Sequence, residues 1–97
     1  MRIIARKTLK AFWENHADAE QDLEAWYAEA KAASWDSPTD IKQKYASASF
    51  LADNRVVFNI KGNTYRLVVK INYSIKIVYI RFVGTHAEYD RIDAETV

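Results

Sequence analysis

Ninety-seven residues, 49% of them hydrophobic and 13% aromatic, are enough for one domain spanning residues 1–97 with a core of its own. The absence of cysteine excludes disulfides and thiolate metal sites, and no apolar run approaches the ~20 residues that would span a bilayer. The formal charge of +1 is unevenly divided: residues 1–54 carry seven basic and nine acidic side chains, residues 55–97 seven basic and four acidic. The opening MRIIARKTLKAFWE has neither the apolar region nor the small-residue cleavage site of a signal peptide, so a soluble domain in a reducing, cytoplasmic compartment is expected.

Arg2 to Ile4 is short and partly β-branched, and is predicted as an N-terminal strand. Lys7–Asn15 places Leu9, Phe12 and Trp13 at i, i+3, i+4 spacing, which predicts a helix. Asp18 with Gln21 three residues later has the form of a capping box and predicts a helix over Asp18–Ser34. Leu23, Trp26, Tyr27 and Ala30 make its apolar face. Ser37 followed by Pro38 predicts a short helix to about Tyr45. Ala46–Asn54 reads as a connection or a brief edge segment. Arg55–Lys61, Thr64–Asn72 and Ile75–Val83 are rich in Val, Ile, Tyr and Phe and predict three strands. Gly62-Asn63 and Tyr73-Ser74 are read as two-residue turns, and the third strand, apolar on both faces, as central. Thr85 with Glu88 predicts a short capped C-terminal helix. The expected fold is therefore α+β, with N-terminal helices packed on one face of an antiparallel β-sheet.

Six cations (Arg55, Lys61, Arg66, Lys70, Lys76 and Arg81) lie between Arg55 and Ala87, with no Asp or Glu among them. A single Lys or Arg on a half-exposed strand is ordinarily just solvated. An unbroken run of them points instead to a phosphate-rich ligand. Period-two alternation places Asn59, Lys61, Arg66 and Lys70 on the face away from the helices, where arginine offers a bidentate fork to phosphate. The capping box makes His86 the first residue of the last helix, with Tyr89 one turn on. Such a pair suits proton transfer, although an exposed first-turn histidine and a packed tyrosine are the commoner occupants of these positions. His16 and His86 lie far apart without ligand-spaced carboxylates, so no metal site is expected. P-loop, dinucleotide and nucleophile-elbow motifs are absent, and Trp13, Trp26 and Trp35 are assigned to the core.

The segments FNIKGNTYRLVVKINY and YIRFVGTHAEYDRID resemble the HigB family of bacterial type II toxins, within the RelE-like superfamily. IIARKTLKAFWE and the W-x-S-P-x-D-I-K segment at Trp35–Lys42 fit the same family, so the likeness covers nearly the whole chain. The resemblance implies a RelE-like fold and an endoribonuclease that uses no metal or other cofactor. It implies mRNA cleavage in the ribosomal A site by attack of the RNA 2′-hydroxyl on the adjacent phosphate. The implied partners are a HigA-type helix-turn-helix antitoxin, the ribosome and mRNA, with operator DNA reached only through the antitoxin and no membrane. Residue by residue, Arg66 matches the arginine that contacts the scissile phosphate, while Lys61 and Asn59 lie on the strand where relatives carry lysines. His86 matches an arginine or histidine after the last strand, and Tyr89 a C-terminal aromatic. Arg66, His86, Tyr89 and Lys61 are thus the expected catalytic set, and Asn59, Arg55, Lys70 and Arg81 the expected RNA contacts. Relatives are usually more basic, and one lysine on the hairpin strand leaves the general base unassigned. A non-catalytic RNA- or ribosome-binding module on the same fold is the alternative, and a basic interaction domain covered by an acidic partner is a third reading.

Overall fold

Side-chain alternation along three long strands decides what the helices pack against. In the computed structural model, which describes all 97 residues, the chain runs β1 (Arg2–Ile4), α1 (Arg6–Asn15), a 3₁₀ turn (Ala17–Ala19), α2 (Glu20–Ala32), α3 (Pro38–Lys44), β2 (Ser49–Leu51), β3 (Arg55–Ile60), β4 (Tyr65–Asn72), β5 (Ile77–Thr85) and α4 (His86–Tyr89). The sheet order is β1-β5-β4-β3-β2. Strands β2 to β5 are antiparallel, and β1 adds to the outer side of β5 in parallel, a pairing made possible by the long helical connection. The central strand is β4, not β5: β4 pairs with β5 throughout and with β3 over Tyr65–Lys70, whereas β1 covers only Ile77–Tyr79 of β5.

Val56, Phe58 and Ile60 of β3, Leu67, Val69 and Ile71 of β4, and Val78 of β5 form one buried cluster with Leu9, Trp13, Leu23, Trp26, Trp35 and Ile41. Phe58 is the hub of its aromatic part. Its ring centroid lies 5.0 Å from Tyr45, 5.4 Å from Trp26 and 6.3 Å from Trp35. Edge-on and offset contacts at such distances are the favoured aromatic geometries.

Several expectations are corrected. Asp18 does not cap α2: it lies inside the 3₁₀ turn, the helix starts at Glu20, and no side chain caps it. The β3–β4 connection is not a two-residue turn. Ile60 still pairs with Tyr65, the loop is Lys61–Thr64, and the positive φ values fall on Lys61 (53°) and Gly62 (63°). The β4–β5 loop is likewise four residues, Tyr73–Lys76, with Asn72 Oδ1 accepting from the amides of Ser74 and Ile75. Ser49–Leu51 is a true edge strand.

The second face of the sheet is not left to solvent. Val57 and Val68 are buried there, and the chain beyond α4 returns across it. Arg55 Nη1 donates to the main-chain oxygens of Ala94 (3.2 Å) and Val97 (2.6 Å), and Arg81 Nε donates to that of Val97 (3.1 Å). Arg81 occupies a bulge: Val68 pairs with Phe82 and Val69 with Ile80, so Arg81 is skipped by the register.

Replacing Phe58 by Ala empties the hub of the aromatic cluster. The expected loss is about 3–5 kcal/mol, read as a lower urea midpoint at unchanged m-value. A loss under about 1 kcal/mol would mean the cluster collapses freely around the gap.

Candidate functional site

The residues singled out for chemistry come from four places: the α1–α2 junction, the β3–β4 hairpin, the end of β5, and α4. Register brings these together at one end of the sheet. Arg66 of β4 lies directly opposite Asn59 of β3 on one side and Gly84 of β5 on the other. All three belong to the face away from the helices. The guanidinium is held by its own hairpin, with Nη2 donating to Asn63 Oδ1 (2.7 Å) and Nη1 to Asn63 O (3.1 Å). Its Cζ stands 5.8 Å from the Tyr89 ring centroid, a cation–π distance. Asn63 and the Tyr89 ring are thus its neutral neighbours, and no carboxylate pairs with it.

Gly84 is the residue this crowding requires. A Cβ there would come within 2.5 Å of Phe82 Cζ and 3.2 Å of Glu88 Oε1. The capping box predicted for α4 is present: Glu88 N donates to Thr85 Oγ1 (3.1 Å) and Thr85 N to Glu88 Oε1 (2.8 Å). These bonds from Thr85 hold the Glu88 carboxyl below its usual value, with the charge of His16 adding to the effect. Glu88 is therefore a fixed anion and a poor proton donor at neutral pH. His86 is half-exposed, and its Nδ1 lies 3.1 Å from Asp90 Oδ2. A carboxylate only accepts, so Nδ1 carries the hydrogen, and in the neutral ring Nε2 keeps its lone pair. The helix is a single turn whose first amides are partly consumed by the capping box, so His86 gains little from a helix dipole.

Lys61 departs from its expected place. Leaving β3 at positive φ, it turns to the helical layer, where Nζ meets Asp18 Oδ2 at 2.9 Å. The Tyr65 hydroxyl donates to the other Asp18 oxygen. The hydrogen bond from Tyr65, then that from Lys61, holds the Asp18 carboxyl below its usual range, and Asp18 in turn raises the Tyr65 hydroxyl. His16 stands beside them, stacked on Phe12 (4.1 Å, 5° between planes) with its centroid 5.7 Å from Tyr65. His16, Asp18 and Tyr65 were not predicted here. Their one sequence signal is that His16-Ala17 stands between the helical patterns of Lys7–Asn15 and Asp18–Ser34.

The acid-free run of cations is neutralised in three dimensions. Lys61 meets Asp18, Lys70 meets Asp53 (2.8 Å) and Lys76 meets Asp36, all carboxylates from the first 54 residues. Arg55 and Arg81 are engaged by the returning chain, and Arg55 is only 6% exposed. The two residues expected as RNA contacts are thus held by main-chain oxygens of the tail. Lys70 is also four residues along β4 from Arg66, about 13 Å. Arg66 is the one member of the six with neither an acidic partner nor a tail contact. Asn59, beside it, donates only a long bond to Ser47 O (3.4 Å). No three His, Asp or Glu side chains gather as a metal site would need.

Residues 19–92 match the model of the HigB toxin family, described as the RelE-like toxic component of a toxin–antitoxin system. This chain belongs to the HigB toxin family. It is 30% identical over 92 residues to the mRNA interferase toxin HigB of Escherichia coli K12, which is 93% of this chain and 88% of that protein. The proteins named mRNA interferase HigB from Escherichia coli O157:H7 and Shigella flexneri align with the same identity and coverage. As the toxic component of such a system, this HigB-family toxin has an antitoxin as partner. None of its helices is long and apolar enough to cross a membrane. The matched region holds Lys61, Arg66, His86 and Tyr89, while Asp18 lies one residue outside it.

The Asp18 network gives a pH signature. Folding lowers the pKa of Asp18, so its ionised form stabilises the fold above the ordinary value of 3.8, and the contribution fades as pH falls through the lowered value. Asp18→Asn is expected to melt below the wild type around neutral pH, with the gap narrowing steadily under acid conditions. A gap that does not change with pH would show that the charge plays no part.

Proposed function

We propose that this toxin is an endoribonuclease that cleaves mRNA in the ribosomal A site, with Arg66 gripping the scissile phosphate. The observation that carries this reading is the state of Arg66: a preoriented guanidinium, free of any carboxylate, flanked by Asn59, Tyr89 and the helix bearing His86. In the reaction the 2′-oxygen bonds to the adjacent phosphorus and the bond to the 5′-oxygen breaks, leaving a 2′,3′-cyclic phosphate and a 5′-hydroxyl. One proton leaves the 2′-hydroxyl and one reaches the 5′-oxygen. Arg66 stabilises the charge on the phosphorane-like transition state, which a fixed fork does without reorganising. His86, oriented by Asp90, offers Nε2 for proton transfer. Tyr89 holds the guanidinium from below, and Asn59 adds a donor beside it.

Lys61 enters this scheme only by releasing Asp18, and Arg55, Lys70 and Arg81 stay with their intramolecular partners. The toxin acts in the cytoplasm on translating ribosomes. Its neutralising partner is a HigA-type helix-turn-helix antitoxin, through which alone it reaches operator DNA.

Arg66→Ala should lower the rate of reporter mRNA cleavage in a translating extract by about 10²–10³-fold with the fold intact, and Arg66→Lys should recover part of it. His86→Gln should cost about 10²-fold or more. A wild-type protein that binds ribosomes without cutting mRNA would replace this reading with that of a non-catalytic RNA-binding module.

A further inference from the structure

Next to the Arg66 site lies an open groove of about 420 Å³, between α1 and the edge of β5. It exists because β1 is short. Beyond Tyr79, β5 has no strand on its outer side, and α1 crosses there instead. Three rings line it, Phe12, His16 and Phe82, with the Ala11 methyl in one wall and the Asn15 amide and Thr8 hydroxyl as its polar groups. No Asp, Glu, Lys or Arg lines the groove, and the His16 ring is its one titratable wall.

Phe12 and His16 are already stacked in parallel, and the parallel pair is braced edge-on by Tyr65, with Phe12 and Tyr65 centroids 5.3 Å apart. Held rings of this kind are the stacking platforms that bind unpaired bases without sequence-specific contacts. Phe82 connects the groove to the phosphate site. Its ring lies across Gly84, and Gly84 is the residue paired with Arg66. Adjacent strands are about 4.8 Å apart. The groove takes in both Val83, on the helix side of β5, and Phe82, on the Arg66 side, so it opens across the free edge of that strand, and a flexible single strand bent around the edge reaches both the stacked rings and the guanidinium.

We propose that this groove is a nucleobase subsite, which stacks an unpaired base of the same RNA strand whose phosphate Arg66 grips. The proposal rests on the ribonuclease reading and adds to it a place for a base. Asn15 and Thr8 meet the polar edge of that base, and the flat face continues the Phe12–His16 stack.

The chain has only two histidines, one in each place, so their ring resonances report on the two sites separately. The test is to titrate the full-length protein, at fixed pH and low salt, with a single-stranded oligoribonucleotide that is 2′-O-methylated throughout and hence uncleavable. The expected result is a saturable shift of both histidines, with the His16 ring protons moving upfield under a stacked base. Ala11→Trp places an indole in the groove from an exposed position. It should abolish the His16 response, keep the His86 response, and weaken binding roughly five- to a hundred-fold, the range of one base–aromatic stack. Phe82→Leu, which removes a ring and keeps apolar bulk, should weaken binding in the same sense if Ala11→Trp does not fold. A shift of His86 with His16 unmoved overturns the groove proposal and leaves the ribonuclease reading standing. If neither histidine moves, both fall. An Ala11→Trp protein with an unchanged His16 response also overturns the proposal.

Discussion

The arrangement at the working end of this toxin depends on β4 being hydrogen-bonded on both sides. A strand held between two neighbours cannot slip its register by one residue without moving every side chain to the wrong face. Two successive residues of β4, Tyr65 and Arg66, therefore point to opposite sides of the sheet and stay there. Tyr65 goes into the helical layer and ties the hairpin to Asp18 at the α1–α2 junction. Arg66 goes the other way and meets Asn63 and the Tyr89 ring. The anchor and the proposed phosphate grip are thus adjacent in sequence and separated by the thickness of the sheet.

The same constraint organises charge. The first half of the chain is acidic and the second basic, and folding brings the two into contact. Asp18, Asp36 and Asp53 each meet a lysine at or beside a strand turn or a strand of the second half. These are partly exposed pairs, each worth little in stability. Their larger effect is on the field, since they cancel positive charge along the sheet away from Arg66. Once the returning chain has engaged Arg55 and Arg81, the remaining field is concentrated at Arg66. A toxin with a pI near 8.0 can present a focused anion site because five of the six cations between Arg55 and Ala87 are already engaged.

Local patterns were legible wherever local physics decides. Period-two alternation placed Phe58 inside and Arg66 outside, helical spacing found Leu23, Trp26 and Ala30, and the Thr85–Glu88 capping box holds as read. Asp18 carries the same kind of signal as Thr85 and behaves differently. Its partners, Lys61 and Tyr65, lie 43 and 47 residues away, and two bonds to them outweigh one cap. Long-range contacts of that sort leave no periodic trace. For the same reason the free run of cations looked more exposed than it is, since the neutralising aspartates come from another part of the chain. The tail contact with Arg55 was equally hidden: main-chain oxygens accept from any sequence.

The central claim is that Arg66 alone, among the cations of the sheet and its turns, meets RNA phosphate. Counterion release measures this most directly, because each phosphate contact with a single strand contributes about 0.7 to the slope of log K against log salt. Binding of an uncleavable single-stranded RNA should lose about that much slope in Arg66→Ala and essentially none in Lys70→Ala or Lys76→Ala. Equal losses in all three variants would contradict the account, for they would show the whole basic strip in contact with the strand.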